Sequence, residues 1–412
     1  MNSDDRRSRS RLGRLRPLTS FLKTEAGGAV FLLAAAVVAL VWANSPLADL
    51  YDEIWGTELT VGAGRFGITE DLQHWVNDGL MAIFFFVVGL EIKREIRIGE
   101  LRDPRAVALP LTAAMAGLAV PALLYLAVTA GTEEMAGWGI PVATDIAFAL
   151  GVVTLFGRML PAGLKVLLLT IAIADDVGAI LIIAIAFSKG LSPVWLAVAV
   201  GGLLLIPLLR MLRLASPWWY VPIGIVVWVA TLESGIHATI AGVALGLMTP
   251  AEPFEGRPVL EELEHRLHPV SSYLVLPLFA LANAGVALSA DTLATAATSR
   301  IVWGILAGLI VGKIVGITGA ITAMVRSGKG QLPLGVDLRH ARALAPVAGI
   351  GFTVSLFIAD LSFTGEQLDE AKIGVLLASL LAGIVGAVAL RRLARRASVD
   401  HVEADVDPIS RR

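Results

Sequence analysis

The stretch Thr170-Ile-Ala-Ile-Ala-Asp-Asp-Val-Gly178 sets two carboxylates side by side in the middle of an apolar run that extends over residues 161–187. Such a run is several times longer than a β-strand and lacks alternating polar positions. It matches the roughly 20 residues a helix needs to cross the hydrocarbon core of a bilayer. Similar runs recur at 27–44, 71–96, 105–129, 136–157, 192–212, 217–234, 236–250, 269–289, 301–323, 341–361 and 368–390. Composition agrees: of 412 residues 56% are hydrophobic and only 17% charged, and the mean hydropathy of +0.76 is too high for a soluble domain of this size. The sequence therefore predicts an all-α polytopic membrane protein with about twelve transmembrane helices, the eighth of them short.

The formal net charge is only −2, but the cations are segregated along the chain. Of the 33 Lys and Arg residues, 28 fall in loops on one side of the expected membrane, four (Arg65, Lys189, Arg300, Lys372) fall on the other, and the last is Lys313 inside a span. The excess of cations on the cytoplasmic side of membrane proteins then puts both termini in the cytoplasm. Residues 1–26 form an Arg-rich cytoplasmic head, 27–390 the membrane domain, and 391–412 a tail whose composition points to disorder. The head and the first apolar run also have the outline of a signal peptide, but eleven further spans and the lack of a clear cleavage site favour an uncleaved first helix. The basic termini read as anchors on anionic membrane lipid, and no nucleic acid partner is expected. With no cysteine in the chain, disulfides and cysteine-based metal or redox sites are excluded.

Ionisable groups at mid-bilayer cost several kcal/mol, so each one is a candidate functional residue. Four stand near the middle of spans: Asp145, Asp175, Asp176 and Lys313. Adjacent residues sit about 100° apart around a helix, so Asp175 and Asp176 edge one cavity while facing different partners. Two close carboxylates in a partly dry site resist ionising together, and a nearby ammonium relieves that for one of them. Monovalent cations and protons then compete for the same oxygens, and hard oxygen ligands suit Na+ or Li+. A purely structural ion pair would account for Lys313 and one aspartate, leaving the other two without a purpose.

Two spans carry marks of interruption. Pro141-Val-Ala-Thr-Asp145 places a proline and two backbone-competing side chains in the fourth, and Ala348-Gly-Ile-Gly-Phe-Thr353 places Gly349 and Gly351 in the eleventh. Breaks at membrane depth are tolerated only where the freed backbone lines protein or a water-filled cavity. The breaks occupy the middle members of two trios of spans, 105–187 and 301–390, whose odd offset of seven spans inverts one relative to the other. That arrangement points to a transporter built from inverted repeats with a midplane site.

Five segments carry a resemblance to the NhaA family of sodium/proton antiporters: Phe84-Phe-Phe-Val-Val-Gly-Leu-Glu-Ile-Lys-Arg-Glu95, Pro141-Val-Ala-Thr-Asp-Ile-Ala-Phe-Ala-Leu-Gly151, Ile173-Ala-Asp-Asp-Val-Gly178, Gly235-Ile-His-Ala-Thr-Ile-Ala-Gly242 and Leu276-Pro-Leu-Phe-Ala-Leu-Ala-Asn-Ala-Gly285. The resemblance implies a twelve-helix fold whose interrupted fourth and eleventh helices cross. It also implies an electrogenic antiporter of the bacterial inner membrane that is switched on at alkaline pH. Asp176 is then the main Na+ ligand. Asp175 alternates between Lys313 and the ion, Thr144 and Asp145 lie at the crossing, and Asp145 offsets positive helix ends. Lys313 compensates the negative ends and gains and loses a proton. The family's pH-responsive cluster is matched by Glu91, Glu95, Glu264, His265 and His268, with His237 a further candidate. The segment Leu59-Thr-Val-Gly-Ala-Gly-Arg-Phe-Gly-Ile68 alternates around glycines as a β-hairpin does, over about 57–68, and in the family such a hairpin joins two protomers into a homodimer. The Arg-rich head is longer than the family's usual leader.

Other functions fit less well. An intramembrane aspartyl protease also needs paired carboxylates, but no Gly-x-Gly-Asp context is present. An anion symporter should bury more than one cation, and a passive channel needs no proton coupling. No nucleotide-binding or metalloprotease motif is found, so the protein is expected not to be an enzyme, to need no cofactor, and to run on ion gradients.

Overall fold

The computed structural model describes residues 25–62, 67–99, 104–156, 160–188, 190–214 and 217–406. The Arg-rich head falls almost wholly outside these residues, as do residues 63–66 and the tail beyond Val406. The first helices are α1 (Glu25–Ala43) and α2 (Ala48–Trp55), which turn through 117° at Asn44-Ser-Pro-Leu47. Strands β1 (Glu58–Val61) and β2 (Ile68–Asp71) pair antiparallel, Glu58 opposite Asp71 and Val61 opposite Ile68, over residues 58–71 where the sequence leads one to expect a hairpin over about 57–68.

From there the chain is helical: α3 (Leu72–Arg97), α4 (Pro104–Val128), a 3₁₀ segment Glu133–Val142, α5 (Ile146–Leu155), α6 (Ala162–Ala186), α7 (Pro193–Met211), α8 (Pro217–Glu233) and α9 (Thr239–Met248). It continues with α10 (Val259–Val270), a π turn Ser271–Val275, α11 (Leu276–Asn283), α12 (Ala290–Thr298), α13 (Arg300–Arg326), α14 (Leu338–Leu344), α15 (Phe352–Ser362) and α16 (Glu366–Val406). Among the described residues six helices are long and apolar enough to cross a membrane, nine if each of three bent pairs counts as one span. The remaining expected spans, 217–234, 236–250 and 269–289, are also helical but shorter. The last helix runs on to Val406, so the tail expected to be disordered from 391 is helical as far as that residue. Its Leu-Arg-Arg-Leu-Ala-Arg-Arg sequence keeps good helix formers past the apolar run.

Small residues let the helices approach closely, as packing in lipid requires. A Cβ on Gly89 would lie 2.7 Å from the Val243 carbonyl, and one on Gly246 2.6 Å from that of Phe86, so only glycine allows α3 and α9 to cross here. On the other flank α13 rests on α4 with Gly312 against Pro121 and Gly316 against Ala116. Helix α4 also packs on α6, and α15 on the 3₁₀ segment and α16. The interrupted segments are thereby held among α4, α6, α13 and α16, with α3 and α9 beyond them.

Both expected breaks are present, each bent by 43°. At the first, the 3₁₀ segment stops at Val142, just after Pro141, Ala143 is extended, and Asp145 caps α5 by accepting from the Phe148 amide at 3.0 Å. At the second, a Cβ on Gly349 would run into the Leu309 carbonyl, and one on Gly351 into Ser355 Oγ. Close approach therefore explains these glycines. The two breaks touch directly: the Asp145 amide donates to the Ile350 carbonyl at 2.6 Å.

Candidate functional site

The meeting of the breaks gathers every mid-span charge foreseen in the sequence. Lys313 stands on α13 directly after a π turn, Ala307–Gly312, and its side chain is 0% exposed against 1% for Asp175. The Lys313 ammonium has three protons and three acceptors: Asp175 Oδ2 at 2.6 Å, the Val142 carbonyl at 2.5 Å and Thr144 Oγ1 at 3.1 Å. Val142 ends the 3₁₀ segment, so the cation also sits at the negative end of a helical turn. A buried ion pair of this kind adds little net stability, because desolvation offsets most of the attraction.

Thr144 Oγ1 lies 2.7 Å from Asp175 Oδ2 and 2.8 Å from the Ala348 carbonyl at the second break. One hydroxyl proton serves only one of these acceptors at a time. Thr144 thus stands between the state of Asp175 and the backbone of the other interrupted span.

Asp145 is committed differently. Oδ1 accepts from the Phe148 amide, while Oδ2 accepts from the Thr353 amide at 3.1 Å and the Thr353 hydroxyl at 2.6 Å. One carboxylate therefore caps the start of α5 and the start of α15 together, where helix dipoles favour negative charge. Its oxygens are filled by protein donors.

Asp176 is the opposite case. It is buried, Oδ1 has no hydrogen-bond partner, and Oδ1 of Asp175 is likewise without one. A buried carboxylate oxygen without a donor is costly unless something else satisfies it. Asp176 borders a cavity of about 1130 Å³ that Thr144, Asp145 and Thr353 also line and that leads outward past Glu91 to Arg94, Glu264, His265 and His268. At this mouth Arg94 pairs with Glu264 and, at 3.2 Å, with Glu95. Burial raises the Glu264 carboxyl above its ordinary value, against the opposing pull of the Arg94 guanidinium and of His268.

His237 does not join this group. It lines a second cavity, of about 520 Å³, together with His74, Asn77, Asp78 and Asp360. The five residues matched to a pH-responsive cluster therefore line or adjoin the large cavity, and His237, the further candidate, lines the small one. Sequence reasoning named Thr353 only as the end of a glycine-rich motif and passed over Asp78 and Asp360. All three are polar or charged side chains inside or at the edge of an apolar run, and only the fold shows what each of them meets.

Residues 19–390 match the family described as Na+/H+ antiporter 1. The chain is similar to a protein of Frankia alni named Na(+)/H(+) antiporter NhaA 3, 46% identical over 94% of this chain and 91% of that one. It is also similar to the Na(+)/H(+) antiporter NhaA of Rhodospirillum rubrum, 46% identical over 93% of this chain and 98% of the other. Na(+)/H(+) antiporter NhaA 2 of Sorangium cellulosum is 40% identical, covering 95% and 93%.

Proposed function

The chain belongs to the Na+/H+ antiporter 1 family, and from that membership we propose that it exchanges Na+ or Li+ for protons by alternating access at a site built on Asp176, Asp175 and Lys313. The observation that carries this reading is the donor-free carboxylate oxygen of Asp176, whose side chain lines the large cavity, with a second donor-free oxygen on the adjacent Asp175. Asp176 takes a proton in one half of the cycle and the cation in the other. Asp175 leaves Lys313 to become the second carboxylate ligand, with Thr144 turning its proton to the Ala348 carbonyl. Asp145, already filled by donors, acts on helix ends and not on the ion.

Charge bookkeeping makes the exchange electrogenic. When Asp175 moves to the cation, the Lys313 ammonium is left buried without its counter-charge and gives up a proton, because an isolated buried ion is far costlier than a neutral amine. The proton-loaded site then holds neutral Asp176 and the Lys313–Asp175 pair, and the cation-loaded site holds two carboxylates, Na+ and a neutral lysine. Two protons move against each Na+.

The large cavity is the cytoplasmic one, since its mouth carries Arg94 and neighbouring cations counted as inside. Both termini lie in the cytoplasm and the membrane is the bacterial inner membrane. Glu91, Glu95, Glu264, His265 and His268 form the pH-responsive mouth, with protons at the Arg94–Glu264 pair setting access. The exposed edges of the β1–β2 hairpin join a second copy to form a homodimer. Purified protein in liposomes should dissipate an imposed pH gradient on addition of Na+ or Li+, and Asp176→Asn should abolish this. A gradient that Na+ leaves untouched would overturn the proposal.

A further inference from the structure

The two cavities approach each other along one helix. Thr353 and Val354 of α15 line the 1130 Å³ cavity, and Phe357, Asp360 and Leu361 on the following turns line the 520 Å³ cavity. Phe357 lies three positions beyond Val354, about 4.5 Å of helical rise. Along this helix the barrier is thus less than one turn thick. It is filled by Phe357, 0% exposed, whose ring is surrounded by those of Phe85, Phe279 and His237 at centroid distances of 5.7, 6.3 and 6.4 Å. Phe85 lies on α3, Phe279 on α11 and His237 in the loop before α9. The plug therefore comes from an interrupted span, and its collar comes from other elements.

One turn farther on, the same helix is tied to α3 by a hydrogen bond, and α3 in turn to α11. Asn77 Nδ2 donates to Asp360 Oδ2 at 3.0 Å. The amides of Asn77 and Asn283 pair reciprocally at 2.7 and 3.2 Å, and Gln73 donates to Asn283 Oδ1 at 3.1 Å. Asn77 and Asn283 are buried, so these groups need partners in every state the protein visits. Asn77 sits in a π turn, Trp75–Leu80, a local geometry in which the helix ladder is already rearranged.

We infer that Phe357 and the Asn77–Asp360 hydrogen bond are the plug and latch of the gate that closes the site away from the large cavity. The inference rests on the antiport reading, because only a transporter that alternates its access needs a second gate. Opening displaces α15 from α3 and α11, withdraws Phe357 from its aromatic collar and joins the small cavity to the aspartates. The Thr353–Asp145 contact lies on the site side of Phe357 and stays intact. Neither gate residue touches the cation oxygens. Weakening the gate therefore shifts the balance between inward-open and outward-open states by as much as the contact favoured the closed one.

The chain contains no cysteine, so Val354→Cys supplies a single thiol on the wall of the large cavity. Its reaction with a membrane-impermeant maleimide is measured from each face of oriented proteoliposomes, beside Na+-driven proton release in the same preparation. In the Val354→Cys background, labelling comes from the face of the large cavity. Adding Asp360→Ala or Asn77→Ala should raise labelling from the opposite face about two- to tenfold, the shift expected when one hydrogen bond is lost from one of two states. Phe357→Leu, which keeps an apolar side chain in the barrier, should do the same to a smaller degree, and Asp360→Asn should fall between. If opposite-face labelling stays unchanged in a background that still exchanges Na+ for protons, or if labelling rises equally from both faces, the gate assignment is wrong. If the unsubstituted protein exchanges no Na+ for protons while the gate variants change labelling as expected, the antiport reading fails and the barrier assignment stands.

Discussion

Thr353 places its hydroxyl 2.6 Å from the Asp145 carboxylate, across 208 residues of sequence, and its amide 3.1 Å from the same oxygen. With the Phe148 amide on the other oxygen, one buried side chain starts two helices. Helix capping alone contributes about 0.5–2 kcal/mol per cap, and leaving buried donors unsatisfied costs about 1–3 kcal/mol each. Asp145→Ala should therefore lower the thermal stability of the purified protein markedly, and Thr353→Val by a smaller amount in the same direction. Asp145→Asn, which keeps one acceptor, should retain part of the exchange activity. Unfolding curves in detergent check the first pair, and gradient dissipation checks the last.

The Thr144 hydroxyl has one proton for two acceptors, Asp175 and the Ala348 carbonyl. Thr144→Ser keeps that choice and should leave the apparent Na+ affinity within a few-fold of the parent. Thr144→Val removes it and strands both acceptors, so affinity should fall about tenfold or more, the equivalent of one buried hydrogen bond to a charged group. Initial rates against Na+ concentration separate the two variants.

Lys313 carries the second proton in the proposed cycle. An arginine there keeps the positive charge but does not lose its proton. Lys313→Arg should therefore exchange one proton for each Na+, if more slowly, and its rate should no longer respond to a potassium diffusion potential set with valinomycin. A variant that remains electrogenic would assign the second proton elsewhere.

The mouth of the large cavity gives a pH dependence of stability. Burial raises Glu264 above its unfolded value, opposed by Arg94, so the folded protein holds that proton more tightly than the unfolded chain. The resulting stabilisation is full below the ordinary carboxylate range and is lost as pH rises through the raised folded value. Replacing Glu264 by Gln should flatten the melting temperature over that window, just above the usual range for glutamate, and leave it unchanged where both forms of the parent are protonated.

The spans and the four mid-bilayer charges were legible because charge inside an apolar run is costly wherever the chain folds. The breaks were legible for a related reason: Pro141, Gly349 and Gly351 announce backbone that cannot continue as packed helix. What was not legible depends on pairing between distant segments. Thr353 looks like any helix-start threonine until Asp145 arrives from the other break. Asp78 and Asp360 fall near the ends of spans, where carboxylates usually face water, and only the fold shows them sharing a cavity with His237. The 117° turn after Ala43 was hidden because the short polar helix Ala48–Trp55 has no apolar run to announce it.

The central claim is that Asp176 holds the cation in place of a proton. Calorimetric titration of Na+ into the purified protein, repeated in buffers of different ionisation enthalpy, measures both binding and proton release. Saturable Na+ binding that releases protons is expected in the parent protein, and no binding in Asp176→Asn at the same pH. Parent-like Na+ affinity in Asp176→Asn, or binding with no proton released, would contradict it.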